Sequence, residues 1–498
     1  MPKYNIKNLI KSNQRIGMTE SEKMSEKQHN RSDHGSLILN KQNSKDMITS
    51  TNNNDGQRRK IWIEAYGCSA NIADSEMIAG MLKSNGYDIA SHERESAMNL
   101  IVTCSVKDAT EHKMLHRIST LSETRKPIIV AGCLPKADRD IVDSINPMAS
   151  LLGPHSITST IETVNSAFLG KKTVMLEDSI HDKVNIPRMR QNPTVSIVEI
   201  ASGCMSQCTF CQTKIAKGYL RSYRIGDICR QIENDVIDGC KEIWLTSTDN
   251  GCYGKDSGSN LVELLRAIIT IKGSYKIRVG MMNPMYIPSM IDDLLKVFSE
   301  NDKIFKFLHI PIQSGSERIL RRMKRGHTVK TFCEVVKIFR ETIPEITIAT
   351  DIIVGFPSET ESDFQDTVSV IQKTEPDIVN SSKYSARPRT ESAKFSKINS
   401  DVVKRRTGHI HNIIKQIALK RNSMWQKWIG DIIIDEYIHS KKDTLIQGRN
   451  YAYKPIILSA NSGSSNHEVL NEFRCKIGDV VNVSVESFSY YALQGKLN

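Results

Sequence analysis

No stretch of this 498-residue chain is apolar for the roughly 20 residues that a membrane-spanning helix needs. The N-terminus also lacks the apolar core of a signal peptide. Both absences predict a protein that touches no membrane and stays in the reducing cytoplasm. Its 11 cysteines are then metal ligands or buried thiols rather than disulfides. No paired cysteines recur at ribbon or finger spacing, which argues against structural zinc. Residues 1–57 lack apolar periodicity and are rich in Ser, Asn, Lys, Gln and Glu, so they read as a disordered polar extension. The remainder is ordinary for a soluble globular protein, with 39% hydrophobic and 25% charged residues. A net charge of +12 favours a polyanionic partner such as nucleic acid, or simply a basic surface.

What is present is dominated by Cys204-Met-Ser-Gln-Cys208-Thr-Phe-Cys211. Three thiolates at this spacing can hold three irons of a cubane cluster and leave the fourth iron open. Electron-transfer clusters normally take four cysteines, and an open metal position is a device for binding something else. With Phe210 before the third cysteine, the run resembles the radical S-adenosylmethionine (SAM) superfamily. That resemblance implies that the open iron chelates SAM.

The rest of the chain alternates strands and helices, the pattern of an α/β protein with parallel sheets and right-handed crossovers. Strands are expected at Ile61–Tyr66, Asn99–Cys104 and Ile128–Ala131. Helices are expected at Asp74–Asn85 and from Cys104 to about Ser122. Cys68, Cys104 and Cys133 each fall at a strand's carboxyl end, the edge where open sheets bind ligands. They form either a second three-thiolate site or three buried thiols. From Val195 to Lys383, six β/α units predict a partial TIM-type barrel, with the cysteine run at the carboxyl-terminal mouth. A long basic helix is expected over Asp401–Trp428. Short strands from Gly430 onward predict a small β-barrel of a kind that often binds RNA.

Taken together, these pieces resemble the radical SAM methylthiotransferases, and most closely the archaeal and eukaryotic tRNA N6-threonylcarbamoyladenosine (t6A) branch. The resemblance rests on Glu64-Ala-Tyr-Gly-Cys68-Ser-Ala-Asn71, Thr103-Cys104-Ser-Val-Lys107, Ala131-Gly-Cys133-Leu-Pro135 and the Cys204–Cys211 run. It continues through Trp244-Leu-Thr-Ser-Thr-Asp249, Arg278-Val-Gly-Met-Met-Asn-Pro284, Leu308-His-Ile-Pro-Ile-Gln-Ser-Gly315 and Ala349-Thr-Asp-Ile-Ile-Val-Gly-Phe-Pro357. The chain departs from the family pattern at Val102-Thr103, Lys217-Gly218, Ser358 and Arg387-Pro-Arg-Thr-Glu-Ser392.

The resemblance implies five regions. These are the extension 1–57, an N-terminal methylthiotransferase domain 58–182, a radical SAM (β/α)6 barrel 183–400, a basic linking helix 401–429 and a TRAM-like β-barrel 430–498. It implies two [4Fe-4S] clusters, an auxiliary one on Cys68, Cys104 and Cys133 and a catalytic one on Cys204, Cys208 and Cys211, together with SAM. It further implies a tRNA carrying t6A, an external electron donor and a sulfur source. Phe210 is a candidate wall of the SAM adenine site. Asp249, Gln313 and Asp351 lie at barrel strand ends, where they either contact SAM or substrate or cap loops. Arg321, Arg322, Lys324, Arg325, Lys404, Arg405 and Arg406 are candidate RNA contacts, each of which could equally be part of a solvated helix face. Cys229, Cys240, Cys252, Cys333 and Cys475 lack partners at ligand spacing and read as structural. Three alternatives stand beside this reading: a methylthiotransferase for isopentenyl-adenosine, one for a ribosomal-protein Asp, and a non-catalytic iron–sulfur RNA-binding protein.

Overall fold

The computed structural model describes residues 37–38, 59–105, 108–178, 182–439, 444–458 and 475–498. The expected disordered extension falls outside these residues, except for strand β1 (Leu37–Ile38), which pairs antiparallel with β2 (Lys60–Ala65). Five further strands complete the first sheet: β3 (Asp88–Ile89), β4 (Met98–Thr103), β5 (Ile128–Gly132), β6 (Ser150–Leu152) and β7 (Val174–Met175). The order is β1-β2-β4-β5-β6-β7, with β3 also on β2, and every pairing but β1–β2 is parallel. Every residue of β4 and β5 is buried, as expected of a sheet covered on both faces. The first crossover helix runs from Ser69 to Ser84, so it begins immediately after Cys68 and five residues before the expected start.

Six parallel strands build the central barrel. They are β8 (Val195–Glu199), β11 (Glu242–Thr246), β12 (Lys276–Val279), β13 (Phe307–His309), β14 (Thr347–Val354) and β15 (Ile378–Lys383). Two three-stranded sheets, β8-β11-β12 and β13-β14-β15, meet through a single parallel bridge between Ile277 and Ile304. This is the expected (β/α)6 arrangement, with ladder pairing thin at its middle seam. A short antiparallel pair, β9 (Ala201–Ser202) with β10 (Arg221–Ser222), brackets the cysteine run.

The basic helix is shorter than expected, covering Ser400–Ser423. It turns Arg406, Ile410, Ile413, Ile417 and Arg421 inward at helical spacing. The last five strands are β16 (Ile429–His439), β17 (Thr444–Arg449), β18 (Pro455–Leu458), β19 (Val480–Phe488) and β20 (Leu493–Leu497). They close as β16-β17-β18-β20-β19, which leaves no free edge. The segment after β17 plugs the base of the central barrel. Tyr453 packs against Phe305 and Phe307 with ring centroids 4.9 and 5.0 Å apart, and Lys454 Nζ reaches Asp377 Oδ1 at 2.9 Å. Among the described residues, no helix is long and apolar enough to cross a membrane.

Candidate active site

The three strand-end cysteines converge. Cys68 caps the Ser69–Ser84 helix, Cys104 follows β4, and Cys133 opens the one-turn helix Cys133–Ala137 after β5. A chain of hydrogen bonds ties the loops together. The Cys68 thiol donates to Asn71 Oδ1 at 3.2 Å, Asn71 Nδ2 donates to the Thr103 carbonyl at 2.5 Å, and Thr103 Oγ1 donates to the Ala131 carbonyl at 2.6 Å. Gly67 adopts φ +113°, and a Cβ on it would lie 2.8 Å from Cys104 Sγ, so a side chain there would collide with the thiol. Three convergent thiols, with the chain held clear beside Cys104, fit a cluster bound by three cysteines.

Beside this trio lies a buried ionic network that the sequence reading did not identify. Lys183 Nζ contacts Asp74 Oδ1 at 2.7 Å and Glu199 Oε2 at 3.3 Å, and Lys217 Nζ contacts Glu199 Oε1 at 2.7 Å. All four side chains are at most 4% exposed. Burial alone would raise the Glu199 carboxyl, but Lys183 and Lys217 hold it at about 2. The hydrogen bond with Cys104, and then the Lys217 charge, pull the Cys68 thiol well down against its burial. Burial pushes Cys133 up to about 12, against the same Lys217. The sequence registered Lys217 only as a departure from a family pattern.

The second trio sits on one loop at the barrel mouth. Gly203, at φ +72°, passes so close to the chain that a Cβ would lie 1.9 Å from the Tyr219 carbonyl oxygen. The Cys204 backbone N–H donates to the Gly218 carbonyl at 3.3 Å, closing the loop's base. Its tip rests on the turn after Glu317–Arg322, where Thr209 N–H donates to the Met323 carbonyl at 3.1 Å. Cys208 and Cys211 are partly exposed, whereas Cys204 is buried. Cys211 lies within the field of both other thiols. Three thiols on one preorganised loop fit an open-iron cluster.

The two trios abut. The helix Thr213–Lys217 follows Cys211 and packs against Cys133–Ala137, with Cys133, Ala137 and Ala216 in one apolar cluster. Ser69, next to Cys68, shares a 3.0 Å hydroxyl–hydroxyl hydrogen bond with Thr246 at the end of β11.

The other candidates separate into those near the trios and those elsewhere. Phe210 stands edge-on to Phe356 at 6.5 Å, in an apolar cluster with Met323 and Phe395. Asp249 is buried, and its Oδ1 accepts from Gly251 N–H and Asn283 N–H, both at 3.0 Å. Burial and then the nearby Cys204 push its carboxyl up to about 7. Asp351 faces the barrel interior, with Oδ2 3.1 Å from His309 Nε2 and Oδ1 accepting from Asn380 Nδ2 at 2.7 Å. Sequence reading had not singled out His309. Gln313 adopts φ +73° and donates its N–H to the Asp351 carbonyl at 2.8 Å.

Two candidate RNA contacts are placed elsewhere. Arg325 is buried, with Nη1 3.4 Å from Cys208 Sγ and Nη2 on the Pro311 carbonyl at 2.9 Å, so it faces the thiols rather than solvent. Arg406 is buried in ion pairs with Glu359 at 2.9 Å and Glu361 at 3.1 Å. Arg321, Arg322, Lys324, Lys404 and Arg405 are exposed. Lys324 pairs with Glu391 at 2.6 Å, and Arg405 lies 3.5 Å from Glu361. Arg322 covers the Phe395 ring at 4.9 Å, at the rim of a groove of about 550 Å³ that Lys394 and Lys397 also line. Cys252, expected to be structural, is buried beside the second trio. Cys252 lies against Cys204, and its hydrogen bond pulls the Cys204 thiol down to about 6.

Comparison with known proteins adds an independent line. The profile of the Radical SAM superfamily matches residues 198–371, and that of Uncharacterized protein family UPF0004 matches residues 60–153. A Pyrococcus abyssi protein named probable threonylcarbamoyladenosine tRNA methylthiotransferase is 41% identical over 409 residues, covering 81% of this chain and 95% of that one. A Drosophila melanogaster threonylcarbamoyladenosine tRNA methylthiotransferase is 32% identical over 448 residues, covering 88% and 78%. Among solved structures, a radical SAM methyltransferase from Kitasatospora setae is similar with a TM-score of 0.49 at 11% identity, over 67% of this chain and 77% of that one.

Proposed function

Because the chain belongs to the threonylcarbamoyladenosine tRNA methylthiotransferases of the radical SAM superfamily, we propose that it places a methylthio group on C2 of t6A beside the tRNA anticodon. The observation that carries the reading at the level of residues is the packing of the Thr213–Lys217 helix, which follows Cys211, against the Cys133–Ala137 helix, which opens on a cysteine of the other trio. The C2–H bond of an adenine is strong and not acidic, so no general base removes that proton at neutral pH. When bound at Cys204, Cys208 and Cys211, a [4Fe-4S] cluster with SAM would supply radical chemistry for that bond, and a second cluster at Cys68, Cys104 and Cys133 would offer a site for the sulfur.

The chain's own residues bind and orient. Cys204, Cys208 and Cys211 would hold the catalytic cluster, and Cys68, Cys104 and Cys133 the auxiliary one. Arg325 sets a fixed positive charge against Cys208. Lys217 sets another against the auxiliary trio, although it belongs to the catalytic loop. Phe210 and Asp249 flank the SAM site, while His309, Gln313 and Asp351 face the substrate from the barrel interior. Arg322 offers an exposed cation, seated over the half-buried Phe395 ring, on which tRNA can dock, with Lys394 and Lys397 toward phosphates. The regions 58–182, 183–400 and 430–498 act as three domains, the last two linked through the segment 401–429 that contains the Ser400–Ser423 helix. An external reductant and a sulfur source are required, and a reducing, cytoplasmic setting suits 11 free cysteines.

The experiment is anaerobic cluster reconstitution followed by reaction with dithionite, SAM, sulfide and tRNA, and mass spectrometry of the nucleosides. The expected product is 2-methylthio-t6A, formed only on tRNA that already carries t6A. Product on isopentenyl-adenosine tRNA or a ribosomal protein instead would move the chain to another branch. Binding of tRNA without any 5′-deoxyadenosine would make it a non-catalytic iron–sulfur protein.

A further inference from the structure

Cys252 belongs to neither trio, yet it is wholly buried at the barrel mouth. It ends the single turn Asn250–Cys252 after β11, and its thiol donates to the Asp249 carbonyl at 3.2 Å. The Cys252 thiol, the Cys204 thiol and an Asp249 carboxylate oxygen all lie within 4.8 Å of one another. The surroundings fix these donors. Both backbone hydrogen bonds to the Asp249 side chain go to Oδ1. Cys204 and Cys252 pack with Tyr286, Met285 and Met290 in one apolar cluster. Asp249 is 2% exposed and Cys204 7%. Two sulfurs and one carboxylate oxygen, buried and held at this separation, match the ligand types of a tetrahedral thiophilic ion with one position left open.

We propose that in the cluster-free chain Cys204, Asp249 and Cys252 bind a single thiophilic divalent cation, such as zinc or cobalt, through two thiolates and one carboxylate oxygen. The two thiols release their protons to solvent as the bonds form. Cys204 is common to this site and to the catalytic trio, so the cation and a cluster held by Cys204 exclude one another. Zinc binds such donors more tightly than ferrous iron, so zinc competes with iron for the empty chain.

Cobalt titration of the reduced, metal-free chain carrying Cys208→Ser and Cys211→Ser tests the site, because Cys204, Asp249 and Cys252 remain. Thiolate-to-cobalt charge-transfer absorption is the readout. Cobalt held by Cys68, Cys104 and Cys133 is a constant background that also reports folding. Adding Cys252→Ala is expected to remove one equivalent of bound cobalt, and adding Asp249→Asn to weaken that equivalent about tenfold or more. Equal binding with and without Cys252 overturns the proposal. If the double serine variant fails to fold, zinc affinity of Cys252→Ser and of Asp249→Asn in the otherwise native chain decides. A loss in both supports the site, and an unchanged affinity in either overturns it.

Discussion

The two three-cysteine sites are built in opposite ways. Cys204, Cys208 and Cys211 share an eight-residue stretch of one loop, pinned at its base by Gly203 and the β9–β10 pair. Cys68, Cys104 and Cys133 come from three loops that meet only because β2, β4 and β5 are adjacent and parallel. The first site is a property of local chain geometry. The second exists only once the sheet has formed, and it relies on Asn71 and Thr103 to hold its loops in register. They also differ electrostatically. The distributed site stands beside the buried pairs of Asp74, Lys183, Glu199 and Lys217, whereas the local site has Arg325 against Cys208 and Asp249 against Cys204. Lys217 links the two, since it lies on the local loop while its charge acts on the distributed thiols.

The largest expected effect separates the sites outright. Cys204→Ala abolishes 5′-deoxyadenosine formation, measured by chromatography. Cys68→Ala leaves SAM cleavage intact but stops methylthio insertion, measured on tRNA nucleosides. Insertion that survives Cys68→Ala would break the division of labour.

Next comes the residue that joins them. Lys217→Met leaves Glu199 buried with Lys183 alone, which Asp74 shares, and is expected to cost about 3–5 kcal/mol of stability in urea unfolding. Lys217→Arg is expected to recover much of that loss. A Met variant as stable as wild type would show that the two sites are not coupled through this charge.

A control far from both sites sharpens the contrast. Asp377, at the barrel base, takes Lys454 at 2.9 Å, Arg421 at 3.1 Å and Arg340 at 3.2 Å. Burial raises its carboxyl, but Lys454, then Arg421 and the Ile348 N–H, win and hold it at about 2. Its folded value lies below the ordinary aspartate value of about 4, so its contribution is complete above pH ~4 and is lost as the pH falls toward 2. Asp377→Asn is expected to cost about 3 kcal/mol at neutral pH and to flatten the loss of stability below pH ~4. Iron uptake by the two cysteine trios should then fall together. A selective loss of one would mean that the base supports only that site.

The smallest effect touches neither site. Arg322→Ala is expected to weaken tRNA binding uniformly and to lower the slope of log affinity against log salt by about 0.7–0.9 for one lost phosphate contact. SAM cleavage in the absence of tRNA should be unchanged.

The same contrast explains what the sequence made legible. The local trio was readable because ligand spacing survives in one dimension. The distributed trio was readable only through topology, since alternating strands and helices imply a parallel sheet whose strand ends, each followed by a cysteine, lie on one edge. The six β/α units between Val195 and Lys383 were legible because apolar strand runs alternate there with helical segments. Burial of charge was not legible. Arg325 and Arg406 looked like any other basic residues, and only packing shows that one faces Cys208 and the other Glu359. Lys183 sits in a linker and Glu199 in a strand, and neither residue type announces an ion pair buried against a distant helix. The contact between Cys252 and Cys204 was not legible for the same reason. Its partner Cys204 is 48 positions away in the chain, and the two meet only through the barrel mouth.

The most direct test of the two-site account is iron and acid-labile sulfide per chain after anaerobic reconstitution. Three chains are compared: wild type, Cys68/Cys104/Cys133→Ala and Cys204/Cys208/Cys211→Ala. The account predicts about eight irons in wild type and about four in each triple variant. A strand-end triple variant that holds as much iron as wild type would contradict it.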